Sequence, residues 1–178
     1  RNDWVFSIDA DESLSKKLAL HLSEVDLESR LIGEIRRDNY FMGKEMRVAG
    51  WGRDRLIRLF NRTEFRFSDR QVHEKVEVDS SAKKVSLRGS IKHNSINNLS
   101  QTLEKANLYS ELYAEQSNTY YPLWVILFKS LYSFIRTYFL QRGFLAGWRG
   151  LVLSYSNSVG VFYKYIKVYA RQKQKNKE

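Results

Sequence analysis

Apolar positions come in short clusters through the first 95 residues and in long helical stripes after them. Trp4 to Ile8 is a compact run of β-branched and aromatic residues, which predicts a buried strand. Asp9-Ala10-Asp11-Glu12 follows. Leu14, Leu18 and Leu22 then recur at helical spacing, predicting a helix over 13–25 capped by Ser13 or Asp11. A strand, an acidic turn and a helix in succession point to an α/β fold. Further strands are predicted at 31–37, at 55–60 and 64–67 around an Asn61-Arg62-Thr63 turn, at 72–78, and at 85–87 and 90–93.

From Ile96 the period changes. Ile96, Leu99, Leu103, Ala106, Tyr109 and Tyr113 form a helical stripe. In 120–140, Leu123, Ile126, Leu127, Leu131, Phe134 and Tyr138 share an apolar face opposite Lys129, Ser133 and Arg136. Trp148, Val152, Tyr155, Val159, Phe162, Ile166 and Tyr169 form a second seam, with Lys164, Lys167 and Arg171 off it. No stretch reaches the ~18 uninterrupted apolar residues of a membrane-spanning helix. The pattern divides the chain into 1–95, a connecting helix over 96–119, and amphipathic helices over 120–178.

Charge sharpens that division. Residues 120–178 hold ten Lys/Arg and one acid, and 15 of the 25 aromatics; residues 1–119 hold 20 bases and 19 acids. Nearly all of the +10 net charge therefore sits on the helical third. Apolar stripes with basic flanks and Trp/Tyr fit helices lying on an anionic membrane surface, with Trp124, Lys129, Arg136, Lys164 and Lys167 as contacts. The aromatics fall on helical seams rather than on stacking platforms, so nucleic acid is not an expected partner. The absence of cysteine excludes disulfides, thiolate zinc sites and cysteine nucleophiles. The chain begins with Arg, the expected start of a processed protein or a piece of a longer one, and its first residues lack the pattern of a signal peptide.

Asp9-Ala10-Asp11 at a strand end carries the chemistry. Two carboxylates one residue apart on a turn suit Mg²⁺ or Mn²⁺ whose remaining ligands are diphosphate oxygens and water. An acidic turn that merely caps a helix is the simpler reading of the tripeptide alone.

Its context adds to it. Asp3-Trp4-Val5-Phe6-Ser7-Ile8-Asp9-Ala10-Asp11-Glu12 resembles the D-W-x-x-x-x-D-A-D-E segment of glycosyltransferase family 2, in particular the lipopolysaccharide-core glucosyltransferase-like subfamily. Asn39-Tyr40-Phe41-Met42-Gly43, Gly50-Trp51 followed by Arg55-Leu56-Ile57-Arg58-Leu59-Phe60, Val72-His73-Glu74, Ile91-Lys92-His93, the block from Arg142 to Leu151, and Tyr163-Lys164-Tyr165 match further segments in order. Ala146 departs from the family, which has Asp there, and the proline of its W-x-P-D segment is missing although Asp54 remains.

The resemblance implies a GT-A type α/β domain, truncated here because the nucleotide-binding β-α-β unit would precede Arg1, followed by the amphipathic helices. It implies metal-dependent, inverting transfer from a nucleotide-sugar donor to a lipopolysaccharide-core or other lipid-linked saccharide. The setting would be the cytoplasmic face of a bacterial inner membrane, with the protein held peripherally. Asp9 and Asp11 would hold the metal with His73 as a further ligand. Glu74 would be the general base, with Asp54 second, and Trp51, Arg55 and Arg58 would contact substrate. Arg55 and Arg58 fall on opposite faces of a strand, so they are not expected to act together. The alternative is a non-catalytic, membrane-associated remnant that keeps part of the fold.

Overall fold

The computed structural model describes residues 2–52, 54–68 and 75–175. The chain forms two compact units. One comprises Arg1–Tyr40 and Arg53–Ser95, the other Phe41–Gly52 and Ile96–Glu178. In chain order the strands are β1 (Trp4–Phe6), β2 (Glu12–Leu14), β3 (Leu31–Phe41), β4 (Lys44–Glu45), β5 (Asp54–Asn61) and β6 (Lys83–Ile96). The helices are α1 (Lys16–Glu24), α2 (Leu99–Gln116), α3 (Leu123–Ile135) and α4 (Trp148–Lys175). Strand β4 and helices α2 to α4 belong to the second unit.

The first unit is a mixed α/β structure. Its sheet runs in the order β1-β5-β3-β6-β2, so β1 and β2 sit at opposite edges although only residues 7–11 separate them. β1 pairs with β5, β3 with β5, and β2 with β6, each antiparallel. Adjacent side chains of a strand face opposite sides, so Leu59 and Phe60 of β5 enter different cores. Leu59 packs with Leu18 of α1, Leu31, Ile35, Leu87 and Ile91. Phe60 packs with Ile32, Phe65 and Val76.

The predicted start of the first helix is corrected. Glu12–Leu14 is a strand paired with Ile91–His93, and α1 begins at Lys16. Ser15 rather than Ser13 or Asp11 is the cap: its Oγ accepts from the N–H of Leu18 at 3.3 Å and of Ser90 at 3.0 Å. One hydroxyl thus starts the helix and ties it to β6. The predicted strands at 85–87 and 90–93 are a single strand. Gly89 breaks the apolar pattern between them without breaking the ladder. Its φ is +101°, and a Cβ there would come within 2.6 Å of the Leu18 backbone nitrogen, so α1 packs directly on this glycine. The predicted strand at 64–67 reduces to one bridge, Phe67 to Val76. Glu64 instead accepts from the Arg30 N–H at 2.7 Å and from Ser29 Oγ at 3.0 Å. Residues 72–74 of the predicted 72–78 strand lie outside the described residues.

In the second unit α2 and α3 both pack on α4. The buried positions mix small polar residues with a few apolar ones, among them Ile126, Leu153 and Val168. On α2 the buried residues are Thr102, Ser110 and Ala114, whereas Leu99, Leu103 and Tyr109 of the predicted stripe are exposed. Between α3 and α4, Ser130 and Ser158 exchange hydrogen bonds, each Oγ donating to the other's carbonyl at 2.8–2.9 Å. Ile126 and Thr137 are buried beside them, while Leu123, Leu127 and Leu131 of the predicted face look outward. α3 continues through a π turn, Arg136–Leu140, and a 3₁₀ turn, Gly143–Ala146, into α4. Leu123–Leu140 is long and apolar enough to cross a membrane by length and composition, and only 11% of that window is buried.

A separate apolar cluster gathers Phe41, Met46, Ala49, Ile96, Ala146 and Leu153. These contacts draw 41–52, which the sequence pattern leaves with the first 95 residues, into the helical unit. Ala146, where the resembled family carries Asp, is buried here.

Gly150 sets how closely the 3₁₀ turn can approach α4. A Cβ on it would overlap the Gly143 carbonyl oxygen, a backbone atom that no rotamer change can move aside. Gly150→Ala is therefore expected to lower the unfolding free energy by about 3 kcal/mol. Urea unfolding followed by circular dichroism measures this.

Candidate functional site

The D-x-D segment leaves β1 at one edge of the sheet and enters β2 at the other, passing the ends of the intervening strands. Two turn bonds shape it: Ser7 N–H donates to Arg58 C=O at 2.8 Å, and Glu12 N–H donates to Asp9 C=O at 3.0 Å. The strands below supply side chains by parity. Arg37 and Asn39 share a face of β3, Asp54 and Arg58 share a face of β5, and the β2–β6 register sets His93 opposite Glu12.

These groups form one continuous chain of contacts. Arg58 Nη2 lies 2.7 Å from Asp9 Oδ2 and 2.7 Å from Glu12 Oε1. Glu12, whose side chain has no exposed surface, also faces Arg37 Nη1 at 3.5 Å and accepts from the Asp9 N–H at 3.1 Å. Arg37 Nη2 donates to Asp54 Oδ2 at 2.8 Å, and Asn39 Nδ2 donates to the same oxygen at 2.9 Å. His93 Nδ1 meets Asn39 Oδ1 at 2.7 Å, and His93 Nε2 meets Asp11 Oδ2 at 3.2 Å. The path thus starts at one aspartate of the motif and ends at the other. The Nε atoms of Arg37 and Arg58 are buried with no acceptor among the described residues.

Hydrogen-bond directions orient the imidazole. Asn39 turns its amide nitrogen to Asp54, so its oxygen accepts from Nδ1–H of His93. Nε2 then faces a carboxylate oxygen of Asp11 at 3.2 Å. Among the described residues the carboxylates of Asp9, Asp11, Glu12 and Asp54 outnumber the guanidinium groups of Arg37 and Arg58, a surplus of negative charge.

Asp9 and Asp54 are held ionised. The hydrogen bond from Arg58 is the main cause that lowers the Asp9 pKa, helped by the charges of Arg58, Arg37 and His93. Burial pushes Asp54 upward, but hydrogen bonds from Arg37 and Asn39 and the nearby positive charge outweigh it and leave the value lowered. A carboxylate stabilised as its anion is a weak proton acceptor, so Asp54 is poorly matched to general-base work. Burial opposes the charge of Arg58, yet Asp9 and Glu12 raise its pKa overall.

The other predicted residues fall elsewhere. Arg58 is occupied by the motif itself rather than open to a diphosphate. Arg55 points to the opposite face of β5, where it meets Ser86 at 3.0 Å and Glu34 at 3.4 Å. Trp51 belongs to the second unit, edge-on to Phe41 with ring centroids 5.7 Å apart. Lys129 lies over the Tyr121 and Tyr165 rings, and Lys164 over Tyr113. Lys167 pairs with Glu111 at 2.8 Å, and Arg171 pairs with the same carboxylate. Trp124 and Arg136 are exposed. His73 and Glu74 lie outside the described residues. Among the described residues no three His, Asp or Glu side chains converge to hold a metal by themselves.

Residue-by-residue reasoning missed Glu12, Arg37, Asn39 and His93 as members of the site. Three of them stand inside matched segments, Glu12 closing D-A-D-E, Asn39 opening N-x-F-x-G and His93 ending its strand, and those positions were the available signal. Arg37 stands in none of them.

Comparison with known proteins finds distant relatives that are named as glycosyltransferases. The chain is 26% identical over 165 residues to an uncharacterized glycosyltransferase of Rickettsia typhi (strain ATCC VR-144 / Wilmington). It is 26% identical over the same length to one of Rickettsia prowazekii (strain Madrid E). Each match covers 85% of this chain and 56% of the relative, so the chain spans about half the length of the curated relatives it matches. No family model and no solved structure matches it. These distant relatives support a glycosyltransferase relationship.

Removing Arg58 strands the buried Glu12 carboxylate. Arg58→Met is expected to cost about 3–5 kcal/mol at neutral pH. Asp9 titrates in the folded chain below its ordinary value, so the stability it supplies is complete above the ordinary aspartate range and is lost as pH falls through the lowered value. The gap between parent and variant should therefore narrow on acidification, as read by urea unfolding at a series of pH values.

Proposed function

We propose that the chain carries the acceptor-side half of a metal-dependent inverting glycosyltransferase of the family 2, GT-A type. It would transfer sugar from a nucleotide-sugar donor to a lipopolysaccharide-core or other lipid-linked saccharide at the cytoplasmic face of a bacterial inner membrane. The observation that carries the reading is the pair Asp11 Oδ2 and His93 Nε2, 3.2 Å apart at the half-exposed end of the network.

The donor set fits a divalent cation that keeps several non-protein ligands. Mg²⁺ and Mn²⁺ are commonly bound through one or two protein groups, with phosphate oxygens and water completing the shell. Asp11, about half exposed, would hold the ion, with His93 beside it. Asp9, drawn to Arg58, would shape the turn. When bound, the ion neutralises charge on the departing diphosphate. The protein's own part is positional. Arg58 and Glu12 fix the turn, and Asn39 fixes the imidazole so that Nε2 points outward. Glu74 is the proposed base that takes the acceptor hydroxyl proton as the oxygen attacks the anomeric carbon, since Asp54 is committed to Arg37 and Asn39.

Asp11→Ala removes an exposed carboxylate and is expected to leave the unfolding midpoint unchanged. It should lower Mn²⁺-dependent turnover of sugar nucleotide by at least about 10³-fold and abolish Mn²⁺ binding read by electron paramagnetic resonance. Full turnover in a folded Asp11→Ala protein removes the reading and favours the non-catalytic alternative.

A further inference from the structure

The helical unit presents an outer face of unusual composition. Between Pro122 and Leu140 eleven positions are exposed, and Arg136 is the only charged one. Trp124 is 72% exposed, Phe128 65% and Leu131 57%. The face continues past the π turn through Leu140, Phe144, Leu145, Trp148 and Leu151 to Tyr155, with Arg142 as its one exposed charge. A water-facing helix of this length carries many polar residues, and an apolar surface this large marks an interaction site.

The opposite side of the same helices is closed and carries the polar contacts, beside buried Ile126, Leu153 and Val168. Ser130 and Ser158 bond to each other, Lys129 turns inward over Tyr121 and Tyr165, and Lys167 and Arg171 pair with Glu111 of α2. The unit is therefore one-sided. Apolarity is concentrated on the outer surface of α3 and the turns after it, and cations sit along its border or behind it.

We infer that this face is a monotopic membrane insert, lying in the plane of an anionic bilayer with the outer sides of α3 and of the turn into α4 at the headgroup–acyl boundary. The inference deepens the membrane-surface part of the reading above and names the residues that enter the lipid. Three observations select lipid over other occupants. The segment 120–178 carries a net +9, so a second copy of the same surface is repelled and an anionic one attracted. The exposed large residues include Trp124, Tyr132, Trp148 and Tyr155, the side chains favoured at a headgroup interface. The polar contacts at the back of the unit rule against full burial, so a helix pair with one apolar side lies in the interface rather than crossing it. Arg136 and Arg142, at the edge of the apolar face, then reach lipid phosphates.

The test is flotation of the 178-residue chain with vesicles of phosphatidylcholine alone or mixed with phosphatidylglycerol, without donor, acceptor or metal. The parent is expected to float with the phosphatidylglycerol vesicles, and lipids brominated along the acyl chain should quench Trp124 fluorescence. Leu127→Glu/Leu131→Glu changes exposed positions only. It should keep the parent's circular dichroism and unfolding midpoint while partitioning more than tenfold less. Arg136→Gln should lower binding about fivefold, and only to the anionic vesicles. Three results overturn the inference: a parent that stays in the vesicle-free fraction, a folded leucine variant that floats like the parent, or a salt-stable dimer of the parent that the leucine variant dissolves. Because the assay needs no sugar chemistry, its failure leaves the transferase reading standing, and loss of that reading leaves this one.

Discussion

A carboxylate without access to water has to be matched by positive charge, and in the first unit that carboxylate is Glu12. Its partners, Arg58 and Arg37, come from two neighbouring strands, β5 and β3. Both cations then use their remaining donors on the aspartates, Arg58 on Asp9 and Arg37 on Asp54. Fixing Glu12 thus fixes where the chain crosses from one edge of the sheet to the other. The conformation of the D-x-D turn follows from this burial rather than from the turn's own preferences. Removing one member would cost more than the interaction is worth, because the others remain buried and charged.

Within this network the two aspartates of the motif are not equivalent. Asp9 is drawn inward by a guanidinium, whereas Asp11 is left half in water, facing Nε2 of His93 at 3.2 Å. The asymmetry comes from strand parity and register. Glu12 stands opposite His93 across the β2–β6 ladder, so the preceding residue is carried past the strand end, and Asn39 orients the ring from the middle of the sheet.

The fold was partly legible in the sequence. Trp4–Phe6, the β5 strand and the helices α2, α3 and α4 follow from periodicity. Glu12–Leu14 did not, because Leu14 completes a helical spacing with Leu18 and Leu22; the strand wins through its pairing with β6 and through the Ser15 cap. The apolar stripes located the helices but not which of their residues the helix contacts bury. In α2 the buried residues are Thr102, Ser110 and Ala114, small side chains that permit close approach, while α3 buries Ile126 beside the half-buried Ser130. The site was legible as a motif but not as a network, since Arg37, Asn39 and His93 are brought to it by strand pairing that no local spacing encodes.

The reciprocal Ser130–Ser158 contact has a consequence for how the helix pair responds to its solvent. Helices joined by large apolar side chains lose their reason to associate once the surrounding medium is itself oily. Helices joined by hydroxyl-to-carbonyl bonds and close van der Waals fit do not, and the bonds are worth at least as much where competing water is scarce. The α3–α4 hairpin should therefore stay shut in detergent micelles, under conditions that loosen the Leu- and Ile-rich core of the first unit.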